Sequence, residues 1–144
     1  MRSNHIAMSL VIKAPIERVW ASLADWESQS DWMLQTRVKV TSEIREGVGT
    51  SIAAFTGIGK IGIMDHMRIT TWQPPNICDV VHTGSIIKGT GRFELTQLDS
   101  KTTRFDWSEE IVAVRALFLL IAPGLYAGVR ISLFALRRQL QQPE

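Results

Sequence analysis

Between residues 36 and 112 the chain repeats one pattern: runs rich in β-branched and aromatic residues, each closed by residues that turn the backbone cheaply. The runs span 36–44, 50–56, 61–72, 77–83, 86–97 and 102–112. Their punctuation is Glu46-Gly47, Gly57 to Lys60, Pro74-Pro75-Asn76, Gly84 and Asp99-Ser100. Connections this short join antiparallel neighbours, so the six runs predict a meander, with no room for a long helix before residue 120.

The flanks complete the pattern. Ile6, Met8, Leu10 and Ile12 alternate with smaller or polar residues, a half-buried strand running to Lys13. Pro15 then suits a first helical position, Ile16, Val19, Trp20 and Leu23 follow at helical spacing, and a second short helix is expected over Trp26 to Trp32. After Pro123, Leu125, Val129, Leu133, Leu136 and Leu140 recur at three- and four-residue steps, one apolar stripe on a long helix. The predicted class is α+β: a curved antiparallel β-sheet of about seven strands around a long C-terminal α-helix, with two short helices after the first strand. Its 144 residues, 45% of them hydrophobic and 21% charged, suit one domain spanning 1–144.

Charge and cysteine content narrow the function classes. Sixteen basic and fourteen acidic side chains are mixed along most of the sequence and leave a net charge of +2, which gives no broad surface for nucleic acid. The only local basic cluster is Arg130, Arg137 and Arg138. Cys78 is the single cysteine, so no intrachain disulfide forms, and a reducing, cytoplasmic setting is expected. Met1 to Leu10 holds no apolar run of signal-peptide length. Residues 116–129 carry no charge, but a membrane span needs about 20 such residues and Pro123-Gly124 interrupts this one, so a strand end followed by a buried helix is the expectation. Contact with a membrane surface through that segment stays open without being expected, and the oligomeric state is left open.

Several strings resemble the START-like, or SRPBCC, superfamily, in particular its polyketide cyclase/dehydrase and lipid-transport branch. They are the opening strand running into KAPIERVWASLADWESQSDWM, then ITTWQPPNICDVVHTG, then KGTGRFELTQL with TRFDWSEEI, and the terminal helix after Pro123. The resemblance implies a helix-grip fold with a cavity between sheet and helix for lipids, polyketides or other apolar molecules. It carries no shared catalytic signature onto numbered positions, so the site is argued from residues.

Gly57-Ile58-Gly59-Lys60-Ile61-Gly62 matches a dinucleotide-loop string, but alternating Ile61, Ile63, Met67 and Ile69 follow where a helix is required, so the glycines read as a flexible hairpin at the cavity rim. His5, His66 and His82 show no metal-type spacing. Cys78 and His82 share a strand but lie ~13 Å apart along it, too far for a catalytic pair or a shared ion. No metal and no cofactor are expected.

Strand parity is more informative. Asp65 falls on the face of Ile61, Ile63, Met67 and Ile69, and Glu109 on that of Phe105, Trp107 and Ile111, so two carboxylates are predicted to point inward. In an apolar cavity such a group is a candidate general acid or base. The plainer reading, and the favoured one, has each reach water or pair with an arginine such as Arg68 or Arg92. His82 reads equally as inward, orienting a ligand, or as solvated. Of five tryptophans, Trp107 is the best pocket candidate.

The predicted ligand-binding set is Asp65, Met67, His82, Phe93, Leu95, Phe105, Trp107, Glu109, Leu125, Val129 and Leu133, enclosing an apolar small molecule. A cyclase- or dehydratase-type enzyme using Asp65 or Glu109 is the first alternative, and a membrane-adjacent lipid or quinone carrier the second.

Overall fold

The computed structural model describes residues 2–85, 87–113 and 115–141, with side chains for 4–85, 87–112 and 123–141. Strand β1 (Arg2–Ile12) leads into helix α1 (Ile16–Ala24) and a 3-10 segment (Trp26–Asp31). Strands β2 (Thr36–Val40), β3 (Ser51–Ile58), β4 (Ile61–Gln73), β5 (Ile77–His82), β6 (Gly89–Asp99) and β7 (Thr102–Ala113) follow, and α2 (Arg115–Gln141) closes the chain. All seven strands form one antiparallel sheet in the order β1-β7-β6-β5-β4-β3-β2. The meander runs from β2 to β7, and β1 joins its far edge by pairing Leu10 with Phe105. The sheet curls around the C-terminal helix, the helix-grip arrangement.

Alternation gives the sheet one buried face. Ile6, Leu10 and Ile12 of β1, Val38 and Val40 of β2, Ile69 of β4 and Phe105, Trp107 and Ile111 of β7 bury one face of the sheet. Register shifts on β4 between Ile69 and Thr71, and on β6 between Gln97 and Asp99, bend the strands. Helix α1 buries Ile16, Val19, Trp20 and Leu23 on one side, with Pro15 just outside as its N-cap residue. Trp20 and Trp72 meet edge to face at 5.1 Å, which ties α1 to β4.

Three local boundaries differ from the sequence expectation. Strand β2 stops at Val40, not 44, because the Ser42 hydroxyl accepts the Ser51 N–H at 2.9 Å and the chain turns through Gly47 and Gly49, both at positive φ. Strand β6 starts at Gly89, not 86. The largest correction is α2, which begins at Arg115 and carries Pro123 inside it. A proline removes only one backbone bond, and the 27-residue helix continues through it to the buried leucines that anchor its far end.

The second half of α2 anchors it. Leu133, Leu136 and Leu140 are buried, the Gln141 side chain accepts the Lys13 N–H at 2.9 Å, and Ser132 accepts the Leu34 N–H at 2.8 Å. The helix is not buried all round: Tyr126, Ile131 and Phe134 are exposed, and the guanidinium groups of Arg130 and Arg137 lie 5.0 and 4.8 Å from the Phe134 ring centre. Among the described residues no helix is long and apolar enough to cross a membrane.

Candidate functional site

The concave face of β3 to β7, the 3-10 segment and α2 enclose a cavity of about 290 Å³. Ile52 and Ala54 of β3, Met67 of β4, Cys78 and Val80 of β5, Phe93 of β6, Trp107 of β7 and Leu125, Val129 and Leu133 of α2 make its walls mainly apolar. Trp26 of the 3-10 segment and Trp32 just after it close one part of the wall, Trp26 stacking on Phe93 at 6.5 Å. Asp65 and Glu109 also line it.

These two carboxylates do not reach an arginine. Each is hydrogen-bonded to the same imidazole: His82 Nδ1 lies 2.8 Å from Asp65 Oδ1, and Nε2 lies 2.6 Å from Glu109 Oε2. The side chains are 3%, 19% and 15% exposed for His82, Asp65 and Glu109. Arg92, the arginine predicted as a partner, instead makes a two-pronged bond to Asp79 at 2.7 and 2.9 Å. The expectation that water or arginine satisfies the pair is corrected here: histidine does.

Sheet order explains how the array forms. Asp65 stands on β4, His82 on the neighbouring β5 and Glu109 on β7, with β6 between the last two. Gly89 pairs with His82, and Gly91 pairs with Glu109. With no side chain on β6 at these two positions, imidazole and carboxylate meet across it. A Cβ at Gly91 would sit 3.1 Å from both Glu109 carboxylate oxygens, and one at Gly89, whose φ is +124°, would run into the Glu110 carbonyl.

Burial works against a charged imidazole, yet the hydrogen bonds it donates to Asp65 and Glu109 and the negative charges of those groups together outweigh it and hold the His82 pKa up at about 10. For Glu109 burial is the largest influence and raises its pKa, with Asp65 adding to the rise and the bond and charge of His82 opposing it. Both tendencies are met by one proton shared along the 2.6 Å Nε2···Oε2 line, as imidazolium with carboxylate or imidazole with carboxylic acid. Cys78 is driven the other way from reactivity: burial, helped by the Asp79 charge, pushes its thiol up to about 12. Among the described residues no set of three or more histidine, cysteine or acidic side chains is arranged to hold a metal ion.

Of the predicted ligand-binding residues, Asp65, Met67, Phe93, Trp107, Glu109, Leu125, Val129 and Leu133 line the cavity. Three do not. His82 lies behind the carboxylates, and Leu95 and Phe105, paired with each other across β6 and β7, are core residues 1% and 0% exposed. They have inward parity but sit further along the sheet, where α1 packs over β6 and β7. Trp26, Trp32, Gly91 and the small inward residues Ala54 and Thr56 were not anticipated. Parity was the available signal for Ala54, Thr56 and Gly91, since they alternate with outward neighbours.

The sequence matches the family described as polyketide cyclase/dehydrase and lipid transport over residues 3–141. No curated protein is significantly similar to it. Three solved structures show the breadth of its fold. The Zhui aromatase/cyclase from Streptomyces sp. R1128 is 16% identical, with 97% of this chain and 94% of that chain covered and a TM-score of 0.80. A START superfamily protein from Mycobacterium smegmatis is 11% identical over 96% of this chain and 97% of that one, with a TM-score of 0.77. The Aha1 dimer from Colwellia psychrerythraea is 17% identical over 96% of each chain, with a TM-score of 0.71. Such identities carry the fold alone, while the match over nearly the whole sequence carries the family. The chain belongs to the polyketide cyclase/dehydrase and lipid transport family.

Proposed function

We propose that the protein binds one apolar small molecule in the cavity between the sheet and α2. The observation that carries this is the cavity itself: about 290 Å³ of space with mostly apolar walls and a few convergent polar groups. Specific small-molecule sites have this composition, and the volume lies near the lower end of their usual range of roughly 300 to 1,000 Å³. A molecule filling it removes apolar surface from water on both sides, which supplies affinity without any reaction.

The test is saturable binding of N-phenylnaphthylamine, an uncharged dye that brightens in apolar surroundings. Stoichiometry near one per chain, abolished by Ala54→Trp, which fills the cavity from β3, supports the reading. Brightening only on partial unfolding, or unaffected by Ala54→Trp, counts against it.

The Asp65–His82–Glu109 array favours a second reading, an enzyme of cyclase or dehydratase type. Glu109, its carboxyl raised by burial, faces the cavity with a proton relay to His82 behind it, so it can take a proton from a bound molecule and return one. Asp65 then balances the charge on the imidazole. Protein-dependent deuterium exchange at an acidic C–H of a bound ketone, abolished in Glu109→Gln while binding persists, supports this role. Exchange equal to that in buffer opposes it.

A further inference from the structure

We infer that the occupant carries a hydroxyl-type donor that meets the Asp65 and Glu109 carboxylates, and that carboxylate-bearing molecules are excluded. This rests on the binding reading above and deepens it.

The inference follows from which polar groups around the cavity still have bonding capacity. The Thr36 hydroxyl bonds the Leu34 carbonyl at 2.8 Å and Thr56 at 2.9 Å. Ser132 donates to the Gly128 carbonyl, Gln29 donates to the Leu23 carbonyl, and the Arg92 guanidinium is engaged by Asp79. What remains is a pair of acceptors. Asp65 and Glu109 each give one oxygen to His82, and the other oxygen of each has no partner among the described residues. A carboxylate oxygen accepts and does not donate.

Trp26 and Trp32 also line the cavity, and neither indole Nε1–H has a hydrogen-bond partner among the described residues, but both nitrogens are closed off from the cavity space. The polar station open to a ligand is therefore the carboxylate pair carried by β4 and β7.

Charge decides the exclusion. Two carboxylates share a single imidazole, so no positive charge at this end is left over for a third anion, which would meet like charge in a poorly screened site. A hydroxyl meets no such repulsion and supplies the donor that the free oxygens accept.

Calorimetric titration of the full chain with four probes sharing one apolar body tests this: naphthol, acetylnaphthalene, hydroxyacetylnaphthalene and hydroxynaphthoate. Naphthol and hydroxyacetylnaphthalene are each expected to bind about tenfold tighter than acetylnaphthalene, and hydroxynaphthoate about tenfold weaker than naphthol or worse. Equal affinities for the three neutral probes, or hydroxynaphthoate binding as well as naphthol, overturn this inference and leave cavity binding standing. No binding by any probe overturns both.

Discussion

Raising the pH from about 7 to 9 should weaken the fold steeply, and the array of Asp65, His82 and Glu109 sets the size of the effect. An ordinary histidine loses its proton near 6.5, whereas His82 is held to about 10, so between these values the folded chain keeps a proton that the unfolded chain has released. A raised folded pKa contributes stability fully present below the unfolded value and lost as pH climbs to the folded one. Glu109, also raised, acts with the same sign from its ordinary 4.5 upward. One extra proton in the folded state gives a slope of about −1.4 kcal/mol per pH unit, or roughly 3 kcal/mol lost from pH 7 to 9. Cys78 adds in the same direction only above its ordinary 9.0, outside this window. Urea unfolding followed by tryptophan fluorescence measures the loss directly at each pH. Glu109→Gln preserves volume but removes one of the two carboxylates holding the proton, so it should cost about 2 kcal/mol at pH 7 and flatten the slope. His82 keeps Asp65 and is not stranded, which limits the cost. A folding free energy constant to within about 0.5 kcal/mol over this range would refute the reasoning, as would an unchanged slope in the variant.

Gly91→Ala presses a methyl group against the Glu109 carboxylate and should cost about 1 to 2 kcal/mol in the same urea assay while shallowing the pH slope. Leu136→Ala, at a fully buried position on α2, should lose about 2 to 5 kcal/mol, and a loss below 1 would mean the helix is peripheral. Cys78, buried and with its thiol pushed up to about 12, should resist iodoacetamide at neutral pH in the folded chain and react once urea unfolds it, read by intact mass. Asp79→Asn breaks a half-exposed pair with Arg92 and should change stability by less than about 1 kcal/mol.

The fold was legible because each strand carries its own two-residue period and each turn its own chemistry. Gly59 at φ +62° closes the β3–β4 hairpin where the glycine-rich string occurs, and no helix follows it. Pro123 misled because propensity treats a proline as a helix end, whereas one missing bond at an exposed turn is a tolerable loss within a 27-residue helix anchored downstream by leucines. Parity placed Asp65 and Glu109 on the inward face but said nothing about partners, since these depend on which strands lie side by side. Bringing His82 between them requires the order β4-β5-β6-β7 and two glycines on β6, a relation among Asp65, His82 and Glu109, which lie 17 to 44 positions apart. The unpartnered tryptophans were illegible for the same reason: indole content is in the sequence, but the absence of an acceptor belongs to the packed structure.

The most direct test of ligand binding is native mass spectrometry of the protein isolated from its own cells, compared with its Ala54→Trp form prepared identically. A filled cavity predicts one adduct per chain, released on unfolding, free of a carboxylate when identified, and absent from the variant. A bare chain mass that also fails to take up any of the naphthalene probes, or an adduct retained equally by Ala54→Trp, would contradict it.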